Sequence, residues 1–237
     1  AAMAAHPQEA EVQGLGCRAL FHAATGTDEA AVACKQAMVD AGGVARVVAA
    51  MAAHPQEAKV QHSGCGALCR AATGTGEAAV ACKQAVVDAG GVACVVAAMA
   101  AHPQDALVQG WGCRALFHAV AGSDDAAVAC KQAMVDAGGV ARVVAAMAAH
   151  PQNVGVQFEG CGALCRAVAG TDEAAVACKQ AMVDAGGVAR VVAAMAAHPQ
   201  EAEVQGLGCG ALCRAVAGTD EAAVACKQAM VDAGGVA

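Results

Sequence analysis

Cysteine is the residue of this chain whose number and spacing could support metal or redox chemistry. Ten of the fourteen cysteines form two series, in each of which successive members are 48 residues apart. The first series is Cys17, Cys65, Cys113, Cys161 and Cys209, and the second is Cys34, Cys82, Cys130, Cys178 and Cys226. Three further cysteines, Cys69, Cys165 and Cys213, follow members of the first series by four residues, on the same face of a helix. The pattern raises the hypothesis of a thiol-rich redox or metal-holding repeat protein.

The local spacing of these cysteines favours packing over ligation. Structural zinc sites combine a close cysteine pair with a second pair of ligands, whereas Cys65 and Cys69 have no second pair beside them in the sequence. In two units the position of Cys69 is occupied by Phe21 or Phe117, as in a core. Since free cysteine behaves as a small buried hydrophobe, we expect no metal and no cofactor, with the thiol-rich function kept as the alternative.

Histidine and lysine also recur once in each unit. The histidines of the HPQ segments would lie about 8–10 Å apart on packed helices, too far to share one ion at about 2 Å. They are predicted to end helices, because the residue before a proline disfavours helical geometry. Lys35 and its equivalents Lys83, Lys131, Lys179 and Lys227 are predicted to form a solvated outer ridge. The chain has neither a Walker motif nor a nucleophile elbow, so we expect no enzyme.

The repeat itself predicts the architecture. The string AAMAAHPQ begins at Ala1, Ala49, Ala97, Ala145 and Ala193, with no insertion between copies. A strict period of this size is typical of a solenoid, in which each unit buries its apolar face against its neighbours. Alanine-rich units favour helices. The charge of −7 and the 2% aromatic content argue against nucleic acid and anionic membranes as partners.

Three helices can be placed in each unit. The first begins at the capping residue Thr27, with acids after it, and ends at the glycine pair 42–43. The second has an apolar stripe and ends before Pro55, and the third spans about 58–72. The prediction is a single solenoid domain, 1–237, with complete units 27–74, 75–122, 123–170 and 171–218 and partial units 1–26 and 219–237.

The order of these segments resembles the armadillo repeat. The matching residues are Val39, Asp40, Ala41 and Gly42 at the end of the first helix, Val44, Val47 and Met51 in the second, and Val60, Gln61, Ala67 and Leu68 in the third. Within that family the units are most similar to those of leucine-rich-repeat kinases and related armadillo-repeat proteins. The resemblance covers the whole chain and implies an all-α, right-handed armadillo-type α-solenoid with three helices per 48-residue repeat.

The resemblance also indicates where a partner would bind. In peptide-binding armadillo proteins the third helix lines a concave groove and grips an extended peptide with a tryptophan and, four residues later, an asparagine. The tryptophan position is held here by Arg18, Gly66, Arg114, Gly162 and Gly210, and the asparagine position by His22, Arg70, His118, Arg166 and Arg214. Basic residues thus replace the tryptophan and the asparagine at several of these positions. The guanidinium group of arginine binds carboxylate and phosphate groups well.

We therefore predict a protein-interaction scaffold whose concave face binds an extended acidic or phosphorylated segment. The predicted partner-binding residues are Arg18, His22, Arg70, Arg114, His118, Arg166 and Arg214. The partner would be a protein or peptide, in the cytoplasm or nucleus, because no signal peptide is seen and the thiols would be reduced. Neither end shows a polar capping helix, so we expect the natural protein to continue in both directions and this piece to self-associate through its uncapped ends.

Overall fold

The described part of the chain is all-helical, and its helices pack in consecutive layers, as in an α-solenoid. A computed structural model describes residues 2–26, 28–74 and 76–234, and this part of the chain contains fifteen helices and no strand. The all-α prediction is therefore confirmed. Thr27 and Thr75, the predicted first residues of two units, lie outside the described residues.

The third helices of successive units form one row. They are α2 (Ala10–Ala23), α5 (Ala58–Ala72), α8 (Ala106–Ala119), α11 (Val154–Ala167) and α14 (Ala202–Val216). Each packs against the next along its length, and these are the most extensive contacts between helices in the molecule. The predicted span 58–72 agrees with α5. The row holds all seven predicted partner-binding residues, so its packing decides their geometry.

The first and second helices form the other two rows. The first helices are α3 (Glu29–Asp40), α6 (Glu77–Asp88), α9 (Asp125–Asp136), α12 (Glu173–Asp184) and α15 (Glu221–Asp232). The second helices are α1 (Ala2–Ala5), α4 (Gly43–Ala53), α7 (Gly91–Ala101), α10 (Gly139–Ala149) and α13 (Gly187–Ala197). None of the described helices meets the length and apolarity of a membrane span by itself, although α6 and α7, bent by 66° at their break, meet them together.

Local signals set the ends of these helices. The Asp28 carboxylate caps α3 by accepting from the Ala31 N–H at 2.8 Å, so an acid supplies this cap. Gly42 joins α3 to α4 with φ at +63°, a left-handed conformation that favours glycine over residues with a Cβ. Helix α4 ends at Ala53 and is followed by its C-cap His54, directly before Pro55, as the sequence predicts.

Buried polar side chains hold each second helix to its surroundings. The Gln109 amide donates to the carbonyls of Met99 and His102, at 2.8 and 2.7 Å. It thus provides a hydrogen-bond donor for carbonyl groups at the C-terminal end of α7. Gln13, Gln61, Gln157 and Gln205 repeat this arrangement. His102 Nε2 donates to the Pro55 carbonyl of the preceding unit at 2.8 Å. The HPQ histidines therefore join units as well as ending helices.

The prediction of a solvated lysine ridge is wrong for four of its five lysines, and only Lys227 is exposed. Lys35, Lys83, Lys131 and Lys179 are each only 2–3% exposed. The Lys131 ammonium donates to the Ala169 carbonyl at 2.6 Å, at the end of its own unit, and lies 3.2 Å from Asp172 Oδ2, at the start of the next. The four-carbon stem is buried while the ammonium reaches these polar partners. Lys83, Lys131 and Lys179 therefore link consecutive units through an aspartate.

Replacing Lys131 by Met tests this role. The substitution keeps an apolar stem of similar length but leaves the Ala169 carbonyl and the Asp172 carboxylate without their charged donor. We expect the free energy of unfolding, measured by urea denaturation, to fall by about 1.5–3 kcal/mol.

The neighbouring Gln132 provides the control. Its exposed amide donates to Asp136 Oδ1 at 2.7 Å within the same helix, so Gln132→Ala should cost less than about 0.5 kcal/mol. Equal losses for the two variants would show that Lys131 does not join the units.

Candidate functional site

The row of third helices presents one predicted arginine on each helix. Arg18 lies on α2, Arg70 on α5, Arg114 on α8, Arg166 on α11 and Arg214 on α14. Arg18 and Arg166 are exposed and the other three are half-buried. Because neighbouring third helices pack side by side, the structure brings the five arginines onto successive helices of a single row, which we call the arginine row.

Arg70 is supported by an aromatic ring of the preceding unit. Its guanidinium carbon lies 5.2 Å from the centre of the Phe21 ring, within the range of a cation–π contact. Phe21 reaches this position because the facing residue on α5 is Gly66, where an added Cβ would lie 3.1 Å from the ring. A glycine in one unit thus makes room for the phenylalanine that supports the neighbouring arginine.

The same arrangement recurs between α8 and α11. The Arg166 guanidinium carbon lies 5.4 Å from the centre of the Phe117 ring, and an added Cβ at Gly162 would lie 3.1 Å from that ring. The sequence predicts Phe21 and Phe117 as core residues, whereas each ring also supports an arginine of the next unit. The signal was present, because the strings RALFH and GALCR exchange arginine for glycine and phenylalanine for cysteine together.

Arg114 has an acidic partner that sequence reasoning also missed. Its Nε lies 3.4 Å from Glu159 Oε1 on α11, and its guanidinium carbon lies 5.3 Å from the Trp111 ring centre. Burial raises the pKa of Glu159 to about 7, an effect that Arg114 and Arg70 oppose. The arginine row therefore already contains one carboxylate, and its protonation changes near neutral pH.

Arg214 is bound to the neighbouring third helix. Its Nη1 donates to the Cys165 carbonyl at 3.2 Å and to the Cys165 sulfur at 3.1 Å. Burial raises the pKa of the Cys165 thiol and Arg214 opposes that rise. The contact fixes the guanidinium against α11 and uses one of its donor nitrogens.

The two predicted histidines differ in their surroundings. His22 is exposed and meets the Phe21 ring edge-on, at 5.0 Å between ring centres. His118 is half-buried against Phe117, and burial together with the neighbouring Arg114 lowers its pKa to about 4. The His118 ring is therefore neutral at pH 7 and adds no positive charge to the row.

A shallow pocket of about 240 Å³ opens where α2, α5 and α8 meet. Its lining consists of Arg18, Phe21, His22, His62, Ser63, Gly66 and Trp111. The Trp111 and Phe21 rings meet edge to face, 5.1 Å apart and at 85°. Aromatic walls beside an exposed arginine suit a side chain that has an apolar stem and a negatively charged end.

The cysteines are free thiols, and ten of the fourteen are buried. Burial raises the pKa of Cys17, Cys130 and Cys178 to about 12, so these thiols stay protonated and are poor nucleophiles at neutral pH. No group of three or more metal-ligating side chains comes together among the residues that the structure describes. The burial supports the packing hypothesis, while Cys209 and Cys213 are exposed.

Neither a protein-family model, nor a curated protein, nor a solved structure matches this chain.

The opposite pKa shifts of His118 and Glu159 predict opposite effects on stability. The pKa of His118 falls from 6.5 to about 4 on folding, so the unfolded chain binds more protons between these values and stability rises with pH. The pKa of Glu159 rises from 4.5 to about 7, so its contribution is largest at low pH and is lost across that interval.

Urea denaturation of His118→Gln and Glu159→Gln between pH 4.5 and 7 measures both effects. Relative to the parent, His118→Gln should lose about 1–2 kcal/mol of the rise in stability, a value reduced from the full linkage for solvent screening. Glu159→Gln should make the rise steeper. Parallel pH profiles for all three proteins would contradict the assignment.

Proposed function

We propose that the chain is a right-handed armadillo-type α-solenoid, with three helices per 48-residue repeat, that acts as a protein-interaction scaffold rather than an enzyme. Its concave third-helix face binds an extended segment of a protein partner, and the segment is acidic or phosphorylated. The helix order within each unit and the continuous row of third helices support the proposal. The free thiols fit a reducing compartment, and we propose the cytoplasm or nucleus.

The observation that carries the proposal is the way Arg70 and Arg166 are held. Each guanidinium lies over a phenylalanine ring of the preceding unit. A stacked guanidinium keeps the N–H groups at its edge directed sideways, where they can donate in pairs to a carboxylate or phosphate.

The pair formed by Arg114 and Glu159 supports the same ligand chemistry. It places a carboxylate of the chain itself against one arginine of the row. An acidic segment of a partner would find equivalent contacts at Arg70 and Arg166. Glu159 also competes for Arg114 and repels a negative ligand, so we infer that it lowers affinity along this part of the row.

Charge reversal on two different rows tests the location of binding. The first variant combines Arg70→Glu, Arg166→Glu and Arg214→Glu in one chain. A fluorescein-labelled glutamate-rich peptide and its phosphoserine counterpart would be titrated with this variant and with the parent. We expect affinity, measured by fluorescence anisotropy, to fall by about a hundredfold or more, since each reversal replaces attraction by repulsion.

The control carries the same reversal at Arg46, Arg142 and Arg190, which are half-buried on the second helices α4, α10 and α13. It has the same net charge as the first variant and should bind close to the parent. If both variants lose affinity equally and keep native circular dichroism, binding depends on net charge alone and the proposal is overturned.

Removal of the internal carboxylate gives a prediction of opposite sign. Glu159→Gln frees Arg114 and removes a negative charge from the row, so the same peptides should bind about threefold to tenfold more tightly. Glu173→Gln, at the exposed start of α12, removes the same charge from another surface and should change affinity little. An unchanged or weakened affinity for Glu159→Gln would contradict its role as a competitor.

A further inference from the structure

The starts of the first helices contain a second group of buried charges, away from the arginine row. At three junctions between units an aspartate bridges two units: Asp124, Asp172 and Asp220. The Asp172 carboxylate is representative. Its Oδ1 accepts from the Ala175 N–H at 2.9 Å and its Oδ2 lies 3.2 Å from the Lys131 ammonium of the preceding unit. Each carboxylate thus occupies a site formed by a helix start and a buried lysine.

At the junction that precedes α6 the aspartate is replaced by Gly76. Gly76 has nearly the same backbone conformation as Asp172, with φ and ψ of −79° and 169° against −67° and 159°. The equivalent lysine, Lys35, is only 3% exposed and donates to the Thr73 carbonyl at 2.7 Å. Among the described residues Lys35 has no carboxylate within ion-pair distance, in contrast to Lys83, Lys131 and Lys179.

The place of the missing carboxylate is open. A Cβ added at Gly76 would have no described residue within 4 Å beyond its chain neighbours, and a cavity of about 650 Å³ lies beside it. Lys35, Gly74, Gly76 and Ala78 line this cavity. The 12-residue helix α6 begins there without a side-chain cap, so no side chain accepts from the N–H groups at its positive end. The Ala79 N–H has turned instead to the Gly76 carbonyl at 2.9 Å.

We propose that this cavity, between the buried Lys35 ammonium and the uncapped start of α6, binds a carboxylate group of a ligand. Two observations beyond the uncapped helix start point to this ligand, and both involve the buried lysine. Three equivalent sites in the same chain each hold a carboxylate. Lys35 is a buried cation whose only protein partner among the described residues is a neutral carbonyl. The proposal does not depend on the function assigned to the arginine row.

The acidic residues at the rim do not oppose this ligand. Glu29 and Glu77, the first residues of α3 and α6, line the cavity and are exposed. Their counterparts Asp125 and Glu173 flank the site of Asp172 in the same way, and the Asp172 carboxylate is nevertheless held there. Burial lowers the pKa of Lys35, and a bound carboxylate would counter that effect.

Equilibrium dialysis with radiolabelled acetate, at an ionic strength held constant with chloride, tests the proposal. The parent chain should bind about one acetate saturably, and Gly76→Asp should lose about tenfold or more in affinity because its own carboxylate fills the site. Gly76→Ala adds a Cβ where space is open, so it should retain binding. No saturable binding by the parent, equal binding by Gly76→Asp, or equal loss in Gly76→Ala would overturn the proposal.

The converse substitution gives a second, independent test. Asp124→Gly recreates the same vacancy beside Lys83, so this variant should bind a second acetate. A variant with the parent's circular dichroism that gains no site would also overturn the proposal. The same dialysis with N-acetyl-aspartate amide distinguishes a site that admits the acidic side chain of a peptide from one that admits only small free carboxylates.

Discussion

The close approach of neighbouring helices is the constraint on which the rest of this structure depends. The chain has few large side chains, so no unit can enclose a core of its own, and the dry interior forms only where units meet. Close approach has a second consequence, because a long side chain of one helix reaches polar groups of another. The glutamines bond to carbonyls of their own unit, the HPQ histidines reach a carbonyl of the preceding unit, and three buried lysines pair with an aspartate of the next. Polar bonds between units therefore accompany the apolar contacts.

The proposed binding surface follows from the same constraint. Glycine on one third helix lets the phenylalanine of the preceding helix come close, and that ring supports an arginine that would otherwise move freely in solvent. Holding a guanidinium in place before the ligand arrives reduces the entropy lost on binding. A residue that differs between units therefore changes only its own part of the surface. Glu159 changes one position of the row, and Gly76 opens one junction, without disturbing the helices around them.

Much of the fold could be predicted from the sequence because its signals are local. Glycine pairs, prolines and capping acids begin or end helices only a few residues away, so the bounds of α4 and α5 follow from short strings. Burial of Lys131 could not be predicted in this way, since it depends on the next unit covering the stem. The pairing of Gly66 with Phe21 joins two units and required comparison of two variable positions across copies. Glu159 has no acidic counterpart at its position in other units, so no repeated signal marked it.

The crystal structure of the chain in complex with a glutamate-rich peptide is the most direct test of the central claim, that supported arginines on the third helices form the binding surface. We expect the peptide to cross α5, α8 and α11, with carboxylates accepting hydrogen bonds from the Arg70 and Arg166 guanidinium groups and with Phe21 and Phe117 still beneath them. A peptide bound along Arg142 and Arg190 on the second helices, or one that leaves Arg70 and Arg166 without contacts, would contradict it.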